Sequence, residues 1–258
     1  MCKVISVVNH KGGVGKTTTS VNIAASLGLL GKRVALLDFD SQANATINFG
    51  IDPDSIDKTI YSVLVNDHTM KGVIIHTKYN VDIIPSNDDL SELDMVILKN
   101  PTFYNDPAHV LANALEPILN DYDYIIIDCP PSKGLLTINA LTASTYALIV
   151  MQCEFFATKG VNKIIDTIRK VKATYNTKLD TLGVVATMYI SGTNLSNVVL
   201  QEARKFFGAN NVKVFDNVVT RTVKFAQSPM MGIPAVIAYP EIENIQSYME
   251  LTKEVFRL

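Results

Sequence analysis

The stretch that most constrains this chain runs from Val4 to Thr19, VISVVNHKGGVGKTTT. A β-forming run enters a loop with three glycines and two lysines, and a hydroxyl-rich helix start follows. Glycines let backbone N–H groups converge on an anion without interference from Cβ atoms. A helix N-terminus adds unpaired donors and a partial positive charge. Gly12, Gly13, Val14, Gly15, Lys16, Thr17 and Thr18 therefore form a candidate phosphate cradle. Lys16 suits the β- and γ-phosphates, and the Thr17 hydroxyl suits a Mg²⁺ ion.

The loop departs from the usual G-x-x-x-x-G-K-[ST] pattern. Position 10 carries His10 instead of glycine, and a second lysine, Lys11, opens a tight KGGVGKT.

Apolar runs and helical stretches alternate behind this loop. A helix is expected over Thr17–Leu30 with Gly31 as its stop, then a strand over Val34–Leu37 ending at Asp38 and Asp40. Further strands are expected at Val81–Ile84, Tyr124–Ile127, Ala147–Met151, Leu182–Met188, Val212–Phe215 and Ala235–Ile237. Helices are expected over Leu90–Leu98, Ala108–Leu119, Leu135–Ala143, within Phe155–Tyr175, and over Leu195–Phe207 and Glu241–Phe256. Unalternating apolar strands suit a parallel sheet covered on both sides. The pattern predicts an α/β fold: a doubly wound, mostly parallel sheet with helices on both faces, as one domain over residues 1–258. Ligands in such sheets bind outside the carboxyl ends of the strands, where the cradle, Asp38, Asp40 and Asp128 all fall. An acid at the end of an apolar strand after such a cradle, Asp128 here, faces a metal and its waters.

Composition narrows the alternatives. With 48% hydrophobic and 19% charged residues, the chain of 258 is expected to be globular. Its three cysteines, Cys2, Cys129 and Cys153, form no C-x-x-C pair, so neither a disulfide frame, a zinc site nor an iron–sulfur carrier is indicated. Strand one begins too early to leave room for a signal peptide, and no apolar run approaches about 20 residues. A cytoplasmic location is expected. A net charge of −2 leaves nucleic-acid binding to a local basic face.

KGGVGKT resembles the deviant Walker A box of the ParA/MinD family of P-loop ATPases, and the resemblance extends along the chain. LLDFDSQANAT is similar to the family's LLVDxDPQGNAT, with Ser41 and Ala43 in place of its proline and glycine. DCPPS stands for DAPPS, TMYISGTNLS for TMYDxRTNLS, and VVTRTVKFAQSP for VIPRNVRLSEAP. The pattern resembles that of ParA/Soj-type partition ATPases without an N-terminal helix-turn-helix. The resemblance implies ATP and Mg²⁺ as cofactors, with Thr17 on the metal and Asp38 and Asp128 holding metal-bound waters. It implies that Asp40, 24 residues beyond Lys16, orients the attacking water. Lys11 would reach the nucleotide of a partner subunit, and Met188, Thr220 and Thr222 would contact adenine. It further implies an ATP-dependent homodimer on non-specific DNA, release after hydrolysis stimulated by a ParB-like centromere-binding protein, and association with the nucleoid.

Arg221 and Lys224 keep the basic pair of one DNA-binding stretch, whereas Gly192 stands where the family has arginine. Lys159, Lys163, Arg169, Lys170, Lys172, Arg204 and Lys205 are further basic candidates. Two alternative functions share the cradle. A MinD-like membrane-cycling ATPase needs a basic amphipathic closing helix, but EIENIQSYMELTKEVFRL has four glutamates against one lysine and one arginine, so no membrane is expected. An ATP-dependent metabolic ligase of the dethiobiotin-synthetase kind needs a polar substrate pocket beyond the γ-phosphate.

Overall fold

A computed structural model describes residues 2–65, 67–154 and 157–257, with the side chains of residues 157–160 outside the description. In chain order the strands are β1 (Lys3–Val8), β2 (Val34–Asp38), β3 (Ile75–His76), β4 (Val81–Ile84), β5 (Tyr124–Asp128), β6 (Tyr146–Gln152) and β7 (Asp180–Thr187). The α-helices are α1 (Lys16–Leu29), α2 (Asn44–Ile47), α3 (Ile60–Leu64), α4 (Met70–Val73), α5 (Leu93–Lys99), α6 (Val110–Leu115), α7 (Leu135–Ala143), α8 (Ala157–Thr174), α9 (Asn194–Gly208), α10 (Lys224–Met231), α11 (Ala235–Ala238) and α12 (Glu243–Phe256).

The strands form a seven-stranded sheet in the order β3-β4-β2-β5-β1-β6-β7. All neighbours are parallel except the short edge pair β3 and β4. The chain travels from β1 outward to β2 and β4, returns through β5, then passes β1 to reach β6 and β7. The carboxyl end of β1, where the glycine loop begins, thus sits at the reversal of strand order, the place where open α/β sheets bind ligands.

Side-chain alternation divides the core between two faces. Val4, Val8, Leu37, Ile125 and Ile127 point to one face with α3–α9. Ile5, Val7, Leu36, Ile126 and Val150 point to the other with α1, α2, α11 and α12. Both faces are covered, which is why the strands read as continuous apolar runs.

Four expectations need correction. Val212–Phe215 is not a strand; its backbone pairs with the sheet through an isolated Val184–Val214 bridge. Ala235–Ile237 is helical, because Pro234 starts a turn whose carbonyl accepts from Ile237 and Ala238. Apolar β-branched residues in so short a run carry no period to separate the two states. The expected helix Leu90–Leu98 opens as a tight 3₁₀ turn over Asp88–Glu92 before α5, and Ala108–Leu119 contracts to α6 plus a 3₁₀ turn where Pro117 removes a backbone donor. The start of the long helix expected within Phe155–Tyr175 lies outside the described residues.

Two positions that depart from the family pattern take left-handed backbone conformations. Ala43, where the family has glycine, takes φ 50°, a left-handed conformation that costs an alanine about 1 kcal/mol. Gly192 takes φ 77°, and a Cβ built there meets nothing within 4 Å. The requirement at Gly192 is therefore conformational, and an arginine would have space but a strained backbone.

A candidate phosphate and nucleobase site

The loop between β1 and α1 is pinned from below. Asn9 donates from Nδ2 to the Val150 carbonyl at 2.7 Å, and its Oδ1 accepts from the Lys11 N–H at 3.0 Å. Thr187 Oγ1, at the end of β7, donates to the Val14 carbonyl at 2.7 Å. Gly13 and Gly15 take φ 73° and 90°, the left-handed turns that aim successive N–H groups into one concavity. α1 then starts at Lys16 with no side-chain cap, leaving its first N–H groups free for an anion.

Lys16 is 7% exposed, and its Nζ donates to the Lys11 carbonyl at 3.2 Å. Burial pulls its pKa below the ordinary lysine value, against the opposing pull of Asp128, Cys129 and Asp40. A cation held this dry gains strongly from an incoming polyanion.

Asp38 and Asp128 are register partners on adjacent strands, and both are fully buried. Asp38 Oδ2 accepts from the Thr46 N–H at 2.7 Å and its hydroxyl at 2.8 Å. Asp128 Oδ1 accepts from Ser20 Oγ at 2.9 Å, whereas its Oδ2 is sealed from solvent with no well-aligned donor. Both carboxyls are pushed above the usual range, Asp38 by burial and by Asp128, and Asp128 chiefly by burial, which the Thr17 and Ser20 hydroxyls oppose. Two repelling carboxylates with an orphaned oxygen, beside a threonine hydroxyl at a helix N-terminus, fit a hard divalent cation.

Asp40 lies just past β2, half-exposed. Its N–H donates to Asp38 Oδ1 at 3.3 Å, and its Oδ1 accepts from the Gln42 N–H at 3.1 Å, a turn cap that leaves the second oxygen free. Lys11 projects from the cradle and pairs with Glu154, both side chains about half exposed.

A second concavity of ≈ 250 Å³ adjoins the cradle, lined by Gly15, Thr18, Thr187, Met188, Val219, Thr220, Arg221, Thr222, Phe225, Ala226 and Tyr248. Met188 takes φ 54°, and the Tyr189 N–H and carbonyl bond Val219 and Arg221, closing its wall. Its predominantly apolar lining suits a nucleobase. Met188, Thr220 and Thr222, the residues for which the resemblance implies adenine contact, all line this concavity. Phe225 and Tyr248 were missed. Tyr248 sits on α12 and meets Thr19 Oγ1 at 3.0 Å, with its ring edge-on to Phe225 at 5.3 Å. Its signal lies in the helical spacing of Ile245, Tyr248, Leu251 and Val255, all buried.

Of the two basic candidates, Arg221 projects into solvent, whereas Lys224 lies over the Tyr239 ring at 4.9 Å from its centroid. The side chain of Lys159 lies outside the described residues.

Comparison with known proteins shows which family the chain resembles. A family model described as an AAA domain matches residues 2–181. The sporulation initiation inhibitor protein Soj of Bacillus subtilis (strain 168) is 42% identical over 256 residues, covering 99% of this chain and 98% of Soj. The chromosome partitioning protein ParA of Myxococcus xanthus (strain DK1622) is 38% identical, covering 99% of this chain and 88% of its own. Among solved structures, cobyrinic acid a,c-diamide synthase from Mycobacterium smegmatis with bound ATP analog and magnesium superposes with a TM-score of 0.88 at 32% identity, covering 100% of this chain and 95% of that one.

Proposed function

Since this chain belongs to the Soj/ParA family of P-loop ATPases, we propose that residues 1–258 act as one ATP-dependent DNA-partition ATPase domain. The observation that carries the reading is the meeting of the buried Lys16 and the buried carboxylate pair Asp38 and Asp128 at the free N-terminus of α1. In this reading ATP occupies the cradle formed by residues 11–18, with its base against Met188, Thr220 and Thr222. Thr17 binds Mg²⁺ directly, and Asp38 and Asp128 hold its waters. When bound, Mg²⁺ neutralises charge on the β- and γ-phosphates. Lys16 leaves the Lys11 carbonyl for the phosphates, and the cradle N–H groups hold the phosphate oxygens in place. Asp40 uses its free oxygen to orient the attacking water. Lys11 exchanges Glu154 for the nucleotide of a second copy, so that two subunits share the bound ATP.

The paired subunits would then present Arg221 and Lys224 twice. Two weak phosphate-binding faces held together bind with useful avidity and no sequence preference, and hydrolysis stimulated by a ParB-like partner separates them. A nucleoid-associated protein is the expected result. The packing of α12 supports a role away from membranes, because Ile245, Tyr248, Leu251, Val255 and Phe256 are already buried. Among the described residues no helix is long and apolar enough to cross a bilayer.

The likeness to an amide-forming synthase keeps a metabolic ligase as the second reading. One experiment separates them: retention on DNA with ATP, with ADP and without nucleotide, alongside turnover with DNA or with small carboxylic acids. Retention in ATP alone, with turnover raised by DNA, supports partition. Equal retention in all three states, with turnover raised only by an acid, overturns it.

A further inference from the structure

His10 occupies the position where an ordinary G-x-x-x-x-G-K loop has glycine and therefore no side chain. Here the ring crosses to two other segments. Nδ1 lies 2.8 Å from the Ser132 carbonyl oxygen in the loop after β5. A carbonyl only accepts, so Nδ1 carries the proton. Nε2 faces Thr167 Oγ1 of α8 at 3.0 Å. The Ser132 carbonyl also accepts from Thr137 Oγ1 of α7 at 2.9 Å, and Thr167 Oγ1 lies 3.1 Å from the Lys163 carbonyl. A continuous polar chain therefore runs from α7 through the β5–α7 loop and the cradle to α8. Below it, Gly12 packs against the same loop: a Cβ built there would rest in ordinary contact with Pro131 Cβ at 3.8 Å. Burial, reinforced by Lys133 and Lys16, holds the His10 pKa below its ordinary value and keeps Nε2 an acceptor, so the single Thr167 hydroxyl proton is shared between Nε2 and the Lys163 carbonyl and serves one of them at a time.

We propose that His10 is a positioning residue that ties the phosphate cradle to the loop after β5 and to α8, so that the three segments open and close as one unit. The tie joins the two sides of the candidate site: Lys11 follows His10 directly, and Ser132 stands four residues beyond Asp128. Its consequence for turnover rests on the ATPase reading, but its mechanical part does not.

Amide hydrogen exchange on the full chain without nucleotide tests the mechanical part. His10→Ala should raise exchange about tenfold, the scale of one well-formed hydrogen bond, in segments 10–15, 131–136 and 163–168 together. His10→Gln, whose amide both donates and accepts, should keep most of the protection and controls for misfolding. Thr167→Val should loosen the same segments, and adding it to His10→Ala should give no further rise through this bond. A rise confined to the cradle, or fully additive effects, overturns the tie. For turnover, His10→Ala should lower kcat about tenfold with KM changed less than about threefold, and His10→Gln should restore it. Unchanged kcat in His10→Ala, beside an active wild type, overturns the effect on turnover alone. A wild type without ATP turnover overturns the ATPase reading, and the tie is then decided by exchange.

Discussion

Glu254 on α12 offers a quantitative test of how the base pocket is held. Its carboxylate accepts from the Asp216 N–H at 3.0 and 3.1 Å, from the Asn217 N–H at 2.9 Å and from Asn217 Nδ2 at 2.9 Å, and it pairs with Lys213 Nζ at 2.6 Å. These residues lead directly into Val219–Thr222, one wall of the concavity, while Tyr248 of the same helix supplies another. Burial opposes ionisation, yet the backbone and side-chain donors of Asn217, Asp216 and Lys213 outweigh it and hold the carboxyl at about 2. With the side chain 15% exposed, the shift from an ordinary glutamate corresponds to about 3 kcal/mol at neutral pH, trimmed to about 2 kcal/mol by water at the rim. Glu254→Gln places an amide nitrogen against a donor and removes the charge, so it should lower the melting temperature by about 4–8 °C at pH 7. Because the folded pKa is depressed, the contribution is complete above the ordinary glutamate value and is lost as pH falls toward about 2. Thermal unfolding of both proteins between pH 7 and pH 2.5 checks this: the gap should close through that window. A gap that persists undiminished at the acid end would refute the charge argument and leave packing as the cause.

Other expectations follow from the same geometry. Asp40→Ala should abolish ATP turnover while leaving nucleotide binding and dimerisation intact, since only its free oxygen is assigned to water; unaltered ATPase activity in the purified variant sinks the assignment. Arg221→Ala should weaken ATP-dependent DNA retention and reduce the salt slope by about 1 per lost phosphate contact, read from filter binding across a salt series. Gly232→Ala should destabilise by about 3 kcal/mol, because φ is +62° and a Cβ would stand 2.5 Å from Gly50 Cα, backbone that cannot yield cheaply; denaturant melts report it.

The parts of the molecule legible in the sequence are those specified by neighbours along the chain. Val4–Thr19 dictated a strand, an anion cradle and a helix, since glycine φ angles, free N–H groups and β-propensity are local properties. Apolar runs at Val34–Leu37 and Tyr124–Ile127, each ending in acid, announced a two-sided parallel sheet and brought Asp38 and Asp128 to one edge. Val212–Phe215 and Ala235–Ile237 are not the strands the sequence suggests, because runs of three or four residues are too short to carry a period. Only tertiary structure decided that Tyr248 reaches Thr19 across 229 positions, that Glu254 clamps the approach to the base pocket, and that His10 bridges Ser132 and Thr167. Each of these depends on where a helix packs and which side chain its rotation presents, and no local preference encodes that.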